Sequence, residues 1–283
     1  MRCAACDRVY YRRPWRGIRP RWQGVRLAGE WYCRAECLQR ALAEMLGREQ
    51  PIGRREAALP HRVPLGLLLL SRQQLTAEQL RAALEAQRNS GGGRIGEWLQ
   101  QLGFATEAQI TAGLARQWSC PVLRTPVEDF SAECGAAIPF PLLEAFQMIP
   151  VELGELTGTL LVAFSEAVDY GALYAIEQML GVRTEACFMG ASILQNALAA
   201  LARRQRTGGA VLHEVEDGAE CARLVGSCAA EILAEQVRWV RCGGHLWVRL
   251  ERQAGEAVNL VLETSAGGTR GAGASRHDLA STA

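Results

Sequence analysis

Apolar positions along this chain change period several times, and each change marks an element. Residues 64–87 and 94–117 are two copies of one pattern offset by thirty positions. Gly66 matches Gly96, Leu69 matches Leu99, Thr76 matches Thr106, Gln79 matches Gln109, and Gln87 matches Gln117. A repeat at fixed offset exposes the architecture before any single element does. Each copy predicts a short helix, a break, a Thr N-cap and a longer helix. Thr76 and Thr106 stand where a hydroxyl can satisfy orphan N–H groups. Leu80, Ala83, Leu84 and Gln87 follow the first cap at helical spacing, as Ile110, Gly113, Leu114 and Gln117 follow the second. Two such units predict a pseudo-symmetric helical bundle over residues 63–118, suited to a pseudo-symmetric ligand or to another protein.

Beyond the repeat the period shortens. Met148 to Val151 and Thr159 to Phe164 are apolar runs bounded by Gly and polar residues, which predicts strands joined by a hairpin around Gly154 and Gly158. Asp169 opens a helix with Leu173, Ile176, Met179 and Leu180 on one face, and Gly181 closes it. Arg183 to Met189 reads as a closing strand and Ile193 to Leu201 as a closing helix. This compact α/β unit spans residues 119–202. Residues 203–218 read as a linker. Within 219–263, Cys221 to Gln236 predicts an amphipathic helix bearing Leu224, Val225, Cys228, Ile232 and Leu233. Val237 to Arg241 and His245 to Glu251 predict a hairpin around Gly243-Gly244, and Val258 to Leu262 a further strand. Residues 264–283, rich in Gly, Ala, Ser and Thr, read as disordered. The expected class is α+β multidomain.

The repeat carries a resemblance. L-G-x-x-L, a break, then L-x-x-x-L-x-x-Q, twice, resembles the N-terminal domain of type II secretion and type IV pilus assembly ATPases, the GspE-N or MshE-N family. The order of elements in 119–202 extends the likeness, so that it covers about half of the chain. Residues 219–263 resemble the opening of the middle domain of the same ATPases, without its acidic and His residues. The resemblance implies docking on the membrane-assembly components of a secretion or pilus system, and cyclic di-GMP binding through the tandem motif. It implies one half-site of Leu65, Gly66, Leu80, Leu84 and Gln87, and another of Arg94, Ile95, Gly96, Ile110, Leu114 and Gln117. In the family each copy opens with a basic residue and carries Gly at the break. The second copy keeps both, as Arg94 and Gly103. The first has Pro64 and Gln73 instead, and Pro64 has neither a side-chain donor nor a backbone N–H.

The N-terminal segment, residues 1–47, has its own chemistry. Cys3-x-x-Cys6 and Cys33-x-x-x-Cys37 are paired knuckles. In a reducing compartment such pairs read as a zinc site more readily than as disulfides. Four thiolates make a closed, structural tetrahedral site. A knuckle, a hairpin over Arg26 to Trp31 and a Cys pair opening a helix resemble a treble-clef zinc finger. Arg2, Arg8, Arg12, Arg13, Arg16, Arg19, Arg21 and Arg26, with Tyr10, Tyr11, Trp15 and Trp22 among them, form a pattern that can bind phosphates and stack bases.

Composition narrows the function. The net charge of +1 gives the whole molecule no electrostatic preference for nucleic acid or membrane. All 31 Lys+Arg residues are Arg. A P-loop needs its Lys on the β- and γ-phosphates, and Schiff-base chemistry needs a Lys amine, so this sequence carries neither. No apolar h-region and no run long enough to span a bilayer is visible. A cytoplasmic protein with reduced thiols is expected. Two functions follow. One is a non-catalytic adaptor or sensor with a structural zinc, residual cyclic di-GMP binding and a protein partner in a secretion or pilus system. The other is a zinc-finger nucleic-acid-binding regulator.

Overall fold

The computed structural model describes residues 1–10, 22–48, 62–123, 137–154, 156–205, 212–252 and 256–264. The tail beyond Thr264, and Tyr11, Arg12, Arg13, Trp15, Arg16, Arg19 and Arg21 lie outside them.

The repeat folds as its pattern predicts. Helices α2 (Leu65–Ser71) and α3 (Ala77–Asn89) form the first copy, α4 (Ile95–Gln101) and α5 (Glu107–Trp118) the second. Both Thr caps belong to complete capping boxes. Thr76 Oγ1 accepts from the Gln79 N–H at 3.2 Å, and Gln79 Oε1 accepts from the Thr76 N–H at 2.9 Å. Thr106 and Gln109 repeat the exchange at 3.3 and 2.8 Å. Each box satisfies two donors that a bare helix start leaves open. The short helices end alike. Gln74 N–H reaches back to Leu69 O and Phe104 N–H to Leu99 O, with Gln73 at φ 56° and Gly103 at φ 69°. That is the Schellman ending, whose left-handed residue is usually Gly.

The α/β unit places α6 (Phe140–Ala145), β3 (Met148–Gly154), β4 (Thr159–Phe164), α7 (Tyr170–Leu180), β5 (Arg183–Phe188) and α8 (Ala191–Gln205) around one sheet of order β3-β4-β5. β3 and β4 are antiparallel, while β4 and β5 are parallel across α7. Asp169 caps α7 by accepting from the Ala172 N–H at 2.9 Å, and Gly181 ends it at φ 70°. Val162, Phe164, Ile149, Ile176, Met179 and Leu194 lie in its apolar core.

The two ends of the chain do not fold apart. β1 (Val25–Leu27), β2 (Glu30–Tyr32), β6 (Leu212–Val215), β7 (Gln236–Cys242), β8 (His245–Glu251) and β9 (Ala257–Thr264) form one sheet of order β2-β1-β7-β8-β9-β6. β1 runs parallel to β7, with Arg26 opposite Gln236 and Leu27 opposite Val237. Helices α1 (Ala35–Arg48) and α9 (Gly218–Glu231) pack together on it. Period-2 alternation sends successive side chains to opposite faces. Val237, Leu246, Val248, Leu250, Leu260 and Leu262 join α1 and α9 in one core. Val240, Cys242, Trp247 and Val261 face the α/β unit and join its core instead.

Three expectations change here. The segment read as a linker over 203–218 contains the end of α8 and all of β6, which pairs in parallel with β9. The helix expected to run to Gln236 stops at Glu231, because Leu233 turns left-handed at φ 59° and the Ala234 N–H closes onto Ala229 O at 2.8 Å. Its buried face is Cys221, Ala222, Val225, Gly226 and Ala229, so Ile232 and Leu233 follow the helix rather than line it. The cysteine segment and the 219–263 segment, expected as separate units, share a sheet and a core.

Candidate functional sites: a four-cysteine centre and a paired-repeat interface

The four knuckle cysteines converge. The chain from Cys3 to Arg8 folds back on itself, with the Cys3 N–H on Arg8 O and the Asp7 N–H on Cys3 O, both at 3.0 Å. Asp7 sits at φ 56° to allow the reversal. Cys33 precedes α1 and Cys37 lies in its first turn. The hairpin turn that brings the pairs together uses Ala28 and Gly29 at φ 51° and 85°, two consecutive left-handed residues suited to a tight hairpin. All four Sγ atoms lie within 4.8 Å of one another. Cys6 Sγ is 3.6 Å from Cys33 Sγ, and Cys33 Sγ is 3.9 Å from Cys37 Sγ. A tetrahedral zinc with Zn–S near 2.3 Å sets its sulfurs about 3.8 Å apart. The donor set and the spacing both fit zinc, and the cysteines are unbridged.

Electrostatics at the thiols are lopsided. Burial disfavours the Cys3 thiolate, but the N–H groups of Cys33, Ala5 and Cys6 and the Cys6 thiol outweigh it and bring Cys3 down to about 6. Burial, then hydrogen bonding to Cys6 and Cys3, pushes Cys37 up to about 12. Cys33 is raised in the same order of causes. The cluster thus favours the thiolate at Cys3 and the thiol at Cys33 and Cys37. A dication placed among them reverses that balance and deprotonates its ligands.

The second candidate site is where the two repeats meet. Each short helix packs on the long helix of the other copy, α2 on α5 and α4 on α3. Small residues permit close packing both within a copy, at Gly66 and Gly96, and between copies, at Gly113. A Cβ at Gly66 would lie 2.5 Å from Leu80 Cδ1, and one at Gly96 would lie 3.2 Å from Ile110 Cγ2. A Cβ at Gly113 would lie 2.6 Å from Leu65 Cδ1. Leu65 and Ile110 are therefore core residues of the bundle. Leu80, Leu84, Ile95 and Leu114 are half-buried, and Arg94 is exposed.

Two glutamines show the pseudo-dyad directly. Gln87 Nε2 donates to Gly93 O at 2.6 Å, and Gln117 Nε2 donates to Val63 O at 2.8 Å. Residues 63 and 93 are themselves one repeat apart, so the first copy's Gln holds the entry to the second, and the reverse. Arg94 and Pro64 stand at matched N-caps, with ψ 139° and 140°. Arg94 forms an ion pair with Glu166, in the segment after β4. Sequence reasoning missed Glu166, because nothing local marks a carboxylate that meets a residue some seventy positions earlier. It also missed Glu107, whose carboxylate accepts from the Ser192 N–H at 2.6 Å and its hydroxyl at 2.7 Å. Glu107 thereby ties the bundle to the start of α8.

Among the described residues of the N-terminal segment, Tyr10, Trp22 and Trp31 make contacts within the fold. Trp22 Nε1 donates to Ala234 O at 2.8 Å, and the rings of Tyr10 and Trp31 lie 5.6 Å apart. Arg2 pairs with Asp7 at 3.0 Å. Among the described residues, no helix is long and apolar enough to cross a membrane.

No protein-family model matches the chain. The type IV pilus assembly ATPase PilB of Thermus thermophilus is 29% identical over 121 residues, which are 43% of this chain and 14% of that relative's length. The structure of MshE with cdg is 27% identical, covers 50% of this chain and 99% of that chain, and has a TM-score of 0.42. The N-terminal domain of XpsE is 22% identical over 48% of this chain and 91% of that chain, with a TM-score of 0.37. Sequence likeness and the tandem motif, rather than the superposition, carry the assignment. The repeat-bearing half of this chain is a GspE-N/MshE-N-like domain.

Proposed function

We propose that the protein is a non-catalytic adaptor or sensor of a bacterial secretion or pilus-assembly system. It works in the cytoplasm through its GspE-N/MshE-N-like domain and holds a structural zinc at Cys3, Cys6, Cys33 and Cys37. The observation that carries the reading is the reciprocal closure of two unequal repeats by Gln87 and Gln117. The partner is a protein component of the assembly apparatus, docked on the repeat domain. Without Lys, the sequence offers no P-loop to bind the phosphates of ATP.

The nucleotide groove is half-equipped. Arg94, Ile95, Gly96, Ile110, Leu114 and Gln117 make the half-site that retains a guanidinium. Leu65, Gly66, Leu80, Leu84 and Gln87 make the half-site with Pro64 at its mouth. A lost bidentate Arg–guanine contact removes about 1–3 kcal/mol. Arg94 must also leave Glu166 before it can meet a ligand. Cyclic di-GMP therefore binds weakly, and protein docking is the main use of the domain.

Two measurements test this. Calorimetry of the full chain with cyclic di-GMP is expected to show weak or no binding, and submicromolar affinity refutes the half-equipped groove. Cross-linking of the tagged protein in its native cells, with partners identified by mass spectrometry, is expected to recover assembly components of a secretion or pilus system. Their absence while the protein is folded and expressed refutes the adaptor reading.

A further inference from the structure

We infer that the four-cysteine centre is a clasp between the two ends of the chain, so that metal bound near the N-terminus orders α9 and the edge of the C-terminal sheet at β7. The inference rests on the four thiols being a metal site, and it goes beyond a zinc finger that serves only its own fold.

Among the described residues, the cysteine segment has no core of its own. β1 and β2 have three residues each, and an isolated two-stranded hairpin is marginal in water. Val25, Leu27, Tyr32, Leu38, Leu42 and Leu46 are buried only in a cluster completed by residues of α9 and of β6 to β9. Cys3 itself is buried in that cluster.

Two continuous routes lead outward from the thiols. The first knuckle is tied to β2 by the Ala4 N–H on Trp31 O at 3.0 Å. β2 pairs with β1, and β1 pairs with β7, where the Arg26 N–H donates to Glu235 O at 2.8 Å. Trp22 donates to Ala234 O beside that pairing. The second route starts at Cys33 and Cys37, which set the first turn of α1. Helix α1 lies on α9 so closely that a Cβ at Gly226 would be 2.4 Å from Gln39 Cγ. Gln39 also donates to Arg223 O at 3.4 Å. Release of the thiols frees both routes together, which leaves β7 as an open edge and uncovers the α9 face at Gly218 and Gly226, where α1 packs. Binding couplings are reciprocal, so loosening the α1–α9 contact must weaken the metal in turn.

Hydrogen exchange on the full chain, zinc-loaded and after chelation, tests the clasp. Chelation is expected to remove amide protection from α9 and β7 as well as from β1, β2 and α1, while α2 to α5 keep theirs. Cys37→Ser is expected to reproduce the chelated pattern. The reciprocal variant is Gly226→Leu, on α9, which supplies none of the thiols. It is expected to lower zinc affinity about tenfold, measured by competition with a chromophoric chelator. Retained protection of β8 and β9 confirms that each variant keeps its sheet. Zinc that binds and leaves without changing α9 and β7 overturns the clasp while sparing the metal site, as does a Gly226→Leu variant of unchanged affinity. A protein that neither carries nor takes up zinc overturns the metal reading and the clasp with it.

Discussion

Gln73 and Gly103 offer a controlled comparison within one molecule. Both occupy the left-handed residue of a Schellman ending, at φ 56° and 69°, after short helices of equal length. An L-residue pays about 1–2 kcal/mol for that conformation. Glycine avoids that cost but gives up about 0.4–1 kcal/mol through its freer unfolded chain. Gln73→Gly should therefore stabilise the protein by about 0.5–1 kcal/mol. Gly103→Ala should destabilise it by a similar amount. A Cβ at Gly103 would meet nothing within 4 Å, so packing contributes nothing to that loss. Gln73→Ala keeps the strain and should stay within about 0.5 kcal/mol of the parent, as surface changes without a special feature do. Urea unfolding followed by helical circular dichroism reads all three through shifts in midpoint at constant slope. A Gln73→Gly variant that loses about 1 kcal/mol, the usual cost of Gly within a helix, refutes the left-handed ending and the equivalence of the repeats.

Further outcomes follow from the two sites. The purified protein should carry about one zinc, the stoichiometry of a closed four-thiolate site, and a metal-free protein whose first 45 or so residues resist protease contradicts it. Pro64→Arg should raise cyclic di-GMP affinity by roughly ten- to a hundredfold, since the backbone at 64 already has the ψ of Arg94; calorimetry showing no gain would mean that the thirty-residue register does not define the half-sites. Glu166→Gln should raise it by no more than about fivefold, because an ion pair with side chains 58% and 34% exposed is worth at most about 1 kcal/mol, and a larger gain would mean that Glu166 closes the groove in another way. Gln117→Ala should cost about 0.5–1.5 kcal/mol, and no change in the urea midpoint would show that the Val63 carbonyl does not need this donor.

The repeat was readable because everything that defines it is local. A Thr with Gln three residues later describes a capping box within one turn, and both boxes are present. Asp169 and Gly181 marked α7 for the same reason. The four cysteines were readable because metal-ligand spacing survives in sequence, and the thiols meet in space. What stayed hidden is long-range. Parallel pairing of β1 with β7 joins residues more than two hundred positions apart, and neither strand announces its partner. A three-residue strand such as β1 shows too little alternation to reveal that both of its edges are paired. β6 reads as linker because Leu212-His213-Glu214-Val215 follows a polar, Gly-bearing stretch, and its ladder comes from β9.

The hidden contacts alter what the readable parts mean. A four-cysteine motif followed by a helix resembles a detachable finger when α1 is considered alone. Its apolar face, however, is Leu38, Leu42 and Leu46, and these are buried in one cluster with residues of α9 and the six-stranded sheet. Trp22, which looked free to stack on a base, spends its N–H on Ala234. The repeat domain then lies in sequence between two segments that return to one sheet. That sheet touches the α/β unit through Trp247, Val261 and Cys242 on its opposite face, and Arg238 reaches the Met179 carbonyl at the end of α7. Trp247 is fully buried, and its indole N–H is satisfied by Asn259 at 3.0 Å, so this contact has the character of a core rather than of a surface. A partner docked on α2 to α5 would therefore grip a domain bound on one side through Glu107 and Ser192 to α8, and held through that core to a sheet whose far edge is closed by four thiols.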